Sequence, residues 1–135
     1  MPRLLLCTLC DDVRFEMSHK HTLVGLFDTF NVADFAQPLP TFRVFARIGL
    51  DAPGTHPLML RITSTEGPFK LEIAGTLDAR SPSEVSGLFE AVFTAAIGAF
   101  RIPGPGRYEV RIEVDQADIG GTSFLAVAMT RPTLQ

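Results

Sequence analysis

Asp11, Asp12, Glu16 and Asp28 are the residues whose type and spacing first suggest chemistry. Two adjacent carboxylates end an apolar run, Arg3 to Cys10, and a second apolar run, Leu23 to Phe27, closes on Asp28. Paired as a hairpin, the two runs bring these carboxylates toward one end. Clustered loop carboxylates are what hard cations such as Ca²⁺ take, roughly six to eight oxygens at a time. Asp115 and Asp118 add a second loop only if they lie at that same end. Otherwise the ligand count falls short, and Asp11 and Asp12 read as acceptors for turn amides and partners of Arg14 or Lys20. His19 and His21 flank Lys20 and place two imidazoles on one strand face, which suits a transition metal, but no third ligand follows. Asp11, Asp12, Asp28, His19 and His21 are thus weak metal candidates in no complete set, and no cofactor is expected.

Other reactive types are no better placed. Cys7 and Cys10 have C-x-x-C spacing, yet residues three apart on a strand point to opposite faces, and no second pair supplies four ligands. They read as buried structural cysteines of a reducing compartment. There is no G-x-S-x-G elbow; Ser64-Thr65-Glu66 and Ser81 to Glu84 read as turn and cap chemistry. Gly104 to Gly106 and Gly120-Gly121 lack the Lys-Ser/Thr of a phosphate loop. His56 has no obvious partner in the sequence. The chain is not expected to be an enzyme.

The elements that would carry these residues are short. Turn signals recur at Ser18 to Lys20, Gln37 to Pro40, Asp51 to Gly54, Glu66 to Pro68, Ser81 to Ser83, Pro103 to Gly106 and Gly120-Gly121, the rhythm of a sandwich or barrel. Between Arg107 and Asp115, Tyr108, Val110, Ile112 and Val114 alternate with charged residues in strict period two, which predicts a half-buried strand. Phe42 to Ile48, Leu58 to Thr63 and Phe69 to Leu77 repeat the pattern. Residues 83–100 match helical spacing as well, with Ser83 as a cap and a short helix near 84–98 as the alternative. Gly87, Gly98 and the β-branched and aromatic content favour a strand. The fold expected is all-β: a single antiparallel β-sandwich over residues 1–135, Ig-like or C2-like, of roughly seven to nine strands.

Arg3 to Cys10, Leu88 to Phe100 and Phe124 to Met129 are apolar on both sides. A small domain has little room to bury three such segments, and exposed apolar surface marks interaction sites. Leu88, Phe89, Val92, Phe93 and Phe124 are the candidate interface residues, and a homo-oligomer or a protein partner is expected. The formal net charge is −3 with Lys and Arg scattered, so nucleic acid is not expected as a partner. No apolar run reaches the ~18 residues of a membrane span. The N-terminal run stops at Asp11, too short for a signal peptide and without a cleavage site. The chain is read as cytoplasmic, starting at or near Met1.

Cys10-Asp11-Asp12-Val13-Arg14, Leu23-Val24-Gly25-Leu26-Phe27-Asp28, Leu39-Pro40 with the aromatic strand Phe42 to Phe45, and Pro105-Gly106-Arg107-Tyr108 together resemble a family of short prokaryotic proteins of unknown function. That family carries a "CDDVR"-like block, an "L-x-G-x-F-D" block and a "PG-x-Y" strand start. The resemblance implies a small β-sandwich and no assigned activity. Tyr108, the only tyrosine, has a separate rationale as a corner pin whose hydroxyl bonds nearby backbone. Together these features point to a noncatalytic interaction or structural module. The alternative is a domain that binds a metal or small ligand at the Asp11, Asp12, Asp28 end.

Overall fold

The alternation from Tyr108 to Val114 resolves as a strand with one buried and one outward face. The computed structural model describes residues 1–129 except 19, 81, 84, 85 and 99. Tyr108, Val110, Ile112 and Val114 are buried, whereas Arg107, Glu109, Arg111 and Glu113 point outward. Nine strands are described, in chain order β1 (Arg3–Phe15), β2 (His21–Phe27), β3 (Thr29–Val32), β4 (Phe42–Leu50), β5 (Gly54–Ser64), β6 (Lys70–Ala79), β7 (Phe89–Ile97), β8 (Gly106–Val114) and β9 (Ala117–Ala128). They form two sheets, ordered β2-β1-β4-β7 and β3-β9-β8-β5-β6. The fold is an all-β sandwich. Every strand pairing is antiparallel except β3 with β9, which is parallel. Among the described residues no helix is long and apolar enough to cross a membrane.

One buried cluster lies between the sheets. Val44, Ala46 and Ile48 of β4 face Leu60 and Ile62 of β5 and the inner row of β8. At one end the core is aromatic: Phe30 lies 4.7 Å from Phe27, 5.2 Å from Phe42 and 5.2 Å from Phe124, each edge-on. Ring edges on ring faces are favourable in the quadrupole sense, so this end is packed by geometry as well as by area.

The segment open to two readings is a strand. β7 pairs with β4 along its whole length, from Phe42 opposite Ile97 to Leu50 opposite Phe89. β7 stands at the end of its sheet, and the ladder satisfies the backbone groups on its β4 side for an aromatic segment that propensity alone favours as a strand only weakly. Ser83 serves a turn, its carbonyl accepting from the Gly87 N–H at 2.9 Å. Glu84 and Val85, where the alternative helix would begin, lie outside the described residues. Gly120-Gly121, read as a turn, sits inside β9. The turn is Asp115-Gln116, both at positive φ (52° and 68°), as a two-residue hairpin of matching twist requires.

Tyr108 is the corner pin. It is buried, stacks on Phe124 at 5.2 Å, and donates its hydroxyl hydrogen to the Gly104 carbonyl at 2.7 Å. Tyr108→Phe keeps the ring and leaves that carbonyl without its partner. The expected outcome is a loss of about 1 kcal/mol in urea-unfolding free energy with an unchanged m-value.

Candidate functional site

The chain passes from one sheet to the other at Asp28. β2 and β3 are almost one strand, broken by this residue alone. β2 pairs with β1 in the first sheet, and β3 with β9 in the second. The Asp28 carbonyl takes the Leu125 N–H at 2.9 Å, and its carboxylate takes the Thr29 hydroxyl at 3.0 Å.

The metal candidates are dispersed around this corner. Asp12 lies on the outer face of the first sheet, 3.2 Å from Arg43 Nε. Asp11 projects from the opposite face, against Gly25. Gly25 has φ of +70°, and a Cβ there would collide with the Asp11 carboxylate, so the glycine serves both the left-handed backbone and the close approach. His21 packs on rings instead of metal, 5.2 Å from Phe15 and 5.4 Å from Phe45. His19 lies outside the described residues. Among the described residues no three of His, Cys, Asp and Glu gather where an ion could be held.

The Asp11 face opens instead onto a cleft at the splayed end of the sandwich. One part, about 350 Å³, lies between Asp11, Gly25 and Phe27 on one side and Pro40 to Phe42 on the other. A second part, about 410 Å³, continues between Phe30 to Asp34 and Gln37 to Pro40. The two share Phe30, Asn31 and Pro40, so they form one furrow along β3. Its far wall is fixed by Asp34, whose carboxylate takes the Ala36 N–H at 2.9 Å, and by Leu39, whose N–H donates to the Phe100 carbonyl at 3.0 Å. Sequence reading missed β3 altogether. Thr29-Phe30-Asn31-Val32 does alternate polar and apolar, but four residues between two loops give no periodicity to read.

The candidate interface residues divide. Phe124 is 1% exposed and belongs to the core, so it offers no outward surface. Phe89 and Phe93 are partly buried and pack on the same cluster. Leu88 is half-buried and sits over Gly49. Val92 alone of the five points outward with 40% of its surface exposed. Leu6, Val24 and Leu26 join it as exposed apolar residues of the first sheet.

The two cysteines point to opposite sides as their spacing predicts. Cys7 packs on the core, and burial pushes its thiol up to about 11. Cys10 is fully buried on the other side of the strand. A thiol so protonated is a poor nucleophile at neutral pH.

A family model described as "Family of unknown function (DUF6941)" matches residues 5–127. No curated protein matches the sequence. Among solved structures, the Pseudomonas fluorescens alkylpurine DNA glycosylase AlkC bound to DNA containing an abasic site analog is similar, with a TM-score of 0.53 and 14% identity. The match covers 94% of this chain and 30% of that one. At this identity the likeness is one of fold. It corrects one expectation: nucleic acid was set aside because the charge is scattered, yet a similar fold occurs in a protein seen on DNA, so scattered charge is no ground for that exclusion.

His56, without a partner in the sequence, has two in the structure. Its Nδ1 lies 2.8 Å from an Asp115 carboxylate oxygen and its Nε2 lies 3.1 Å from the Ala52 carbonyl. Both neighbours only accept, so the ring fits best as the doubly protonated imidazolium, tying the β4–β5 turn to the β8–β9 turn. The hydrogen bond to Asp115 raises its pKa above the ordinary 6.5. A folded-state pKa raised in this way stabilises the fold fully below pH 6.5, and that contribution disappears as pH climbs through the folded value. Urea unfolding from pH 5.5 to 8.5 should show this decline, and His56→Gln should flatten it.

Proposed function

This chain belongs to DUF6941, a family of unknown function, and on that premise we propose that it is a noncatalytic interaction module that self-associates along the edge strand β2. The observation that carries this reading is the difference between the edges of the two sheets. An open strand edge is a template for another strand, and proteins blunt it with charge, proline or brevity. β6 carries Lys70, Glu72 and Asp78, β3 is only four residues long, and β7, the other edge of the first sheet, carries Glu90. β2, His21–Phe27, bears no Lys, Arg, Asp, Glu or Pro. Its own Val24 and Leu26 are exposed, the latter to 63%. An antiparallel strand paired with its own copy across a two-fold axis presents one patch to itself, the commonest symmetry of small oligomers.

The faces agree with the edges. The outer face of the second sheet is laced with ion pairs: Arg61 with Glu72 and Glu113, Lys70 with Glu72, Arg111 with Asp118. Such a surface is solvated, apart from Leu125 and Val127 of β9, which are also exposed. The first sheet exposes Leu6, Leu26 and Val92 beside its own ion pairs, Asp12 with Arg43 and Arg47 with Glu90. The noncatalytic part of the reading is supported by the state of the reactive groups, since the nitrogens of His56 face acceptors and the Cys7 thiol stays protonated.

Light scattering behind a size-exclusion column tests this. The chain is expected at twice its 14.7 kDa mass. Val24→Lys, a charge at the middle of the edge, is expected to give a monomer with its melting temperature unchanged. A wild-type monomer at every concentration removes the reading.

One observation favours a second reading, nucleic-acid binding: the fold likeness to a glycosylase described on DNA. Of the arginines on the outer face of the second sheet, Arg107 has no ion pair among the described residues, whereas Arg61 pairs with Glu72 and Glu113 and Arg111 with Asp118. For this reading, anisotropy of a labelled DNA duplex should rise at low salt, fall back as salt is added, and weaken in Arg107→Gln.

A further inference from the structure

We infer that the furrow along β3 takes an extended, lysine- or arginine-bearing peptide segment of another protein, added to the second sheet as a strand beside β3. This site is separate from the β2 edge and does not depend on self-association.

The backbone supplies the first reason. β3 runs parallel to β9, and the Asp28 and Val32 carbonyls take the Leu125 and Met129 N–H groups at 2.9 and 2.8 Å. Parallel pairing uses alternate residues on each strand, so Asp28, Phe30 and Val32 face β9 and Thr29 and Asn31 face away. β3 stands at the end of its sheet. The N–H and C=O of Asn31 therefore point into the furrow with no strand to meet them, and Asn31 itself is exposed. An extended peptide laid there gains main-chain hydrogen bonds without displacing any existing ones, which is strand addition to a sheet edge.

Shape and charge supply the second and third reasons. The two parts of the furrow, about 350 and 410 Å³, each fall within the ~300–1,000 Å³ of ligand clefts, and they are joined end to end along the strand. Phe27, Phe30 and Phe42 give an apolar floor on which alternate peptide side chains can rest, and Pro38 and Pro40 form a wall with few donors of its own. The charged residues lining the furrow are Asp11 in one part and Asp34 in the other, with no Lys or Arg among its lining. No ion pair joins either carboxylate to a cation of the chain among the described residues. A segment alternating apolar and basic side chains complements all three features, whereas an acidic one is repelled.

The test is titration of the full chain, observed by amide NMR, with an acetylated, amidated hexapeptide alternating valine and lysine. A matched peptide with glutamate for lysine serves as the control. The lysine peptide is expected to shift the Thr29 and Asn31 amides, and the glutamate peptide to shift neither. Asn31→Pro removes an edge N–H that no ladder uses, a substitution edge strands accept. It should weaken binding about tenfold, the equivalent of one lost hydrogen bond, while leaving the melting temperature in place. Asp11→Asn should narrow the preference for lysine over glutamate. A lysine peptide N-methylated at alternate residues tests the same bonds from the peptide side, on unaltered protein, should Asn31→Pro fail to fold. The inference is overturned by any of three results: no binding of the lysine peptide, shifts centred away from β3, or full affinity with the methylated peptide.

Discussion

Much of this structure depends on the backbone changing sheets at Asp28. A β-strand must satisfy its N–H and C=O groups on at least one side, and the segment from His21 to Val32 does so twice with different neighbours: β1 before Asp28 and β9 after it. The hydrogen bond from the Leu125 N–H to the Asp28 carbonyl is the first rung on the new side. Because one continuous strand serves both sheets, the sheets meet along it and must part beyond it. The cleft beside β3 and the aromatic contacts of Phe27, Phe30 and Phe42 lie at that parting. A chain that turned fully at Asp28 would close the sandwich there and leave no furrow.

Two-sided apolar strands are a problem in a protein this small, and the molecule handles them locally. β4 buries Phe42, Val44, Ala46, Ile48 and Leu50 between the sheets, but Phe45 on its outer side is also only 3% exposed. Phe45 lies opposite Thr8 of β1, well inside the sheet, whereas His21 stands at the far end of the β1–β2 hairpin. Their rings are nonetheless 5.4 Å apart. The hairpin beyond Cys10 therefore folds back over the outer face, and Gly25, at φ of +70°, stands in that stretch. The apolar surface left over lies partly at the hairpin and the β2 edge, where Met17 is fully exposed, and partly on the strands whose composition drew attention first, at Leu6, Val92, Leu125 and Val127.

The legible parts of the fold were those written in local alternation. Tyr108 to Val114 could be assigned with its inward face because four apolar residues alternate with charged ones over nine positions, a pattern only a half-buried strand explains. The corner role of Tyr108 was equally readable, since a lone Tyr two residues after Pro-Gly has few other uses. Less legible were features that combine distant segments. β3 was invisible because its pairing with β9 joins residues nearly a hundred positions apart. His56 seemed solitary because Asp115 is 59 residues away. Gly120-Gly121 passed for a turn because glycine pairs usually are one, yet here a Cβ at Gly121 would collide with the Val110 carbonyl, so glycine is needed for close strand approach.

The sequence by itself determined the all-β class, the inward rows of the central strands, and the opposite orientation of Cys7 and Cys10. These rest on side-chain period and residue count, which are properties of neighbouring positions. Only the tertiary structure decided that Asp11 faces a cleft while Asp12 pairs with Arg43, that Phe124 is core and Val92 surface, and that Asn31 lies on an open edge. Each of those outcomes is set by which strand lies beside which, and strand order is decided by the packing of the whole chain, not by any segment of it.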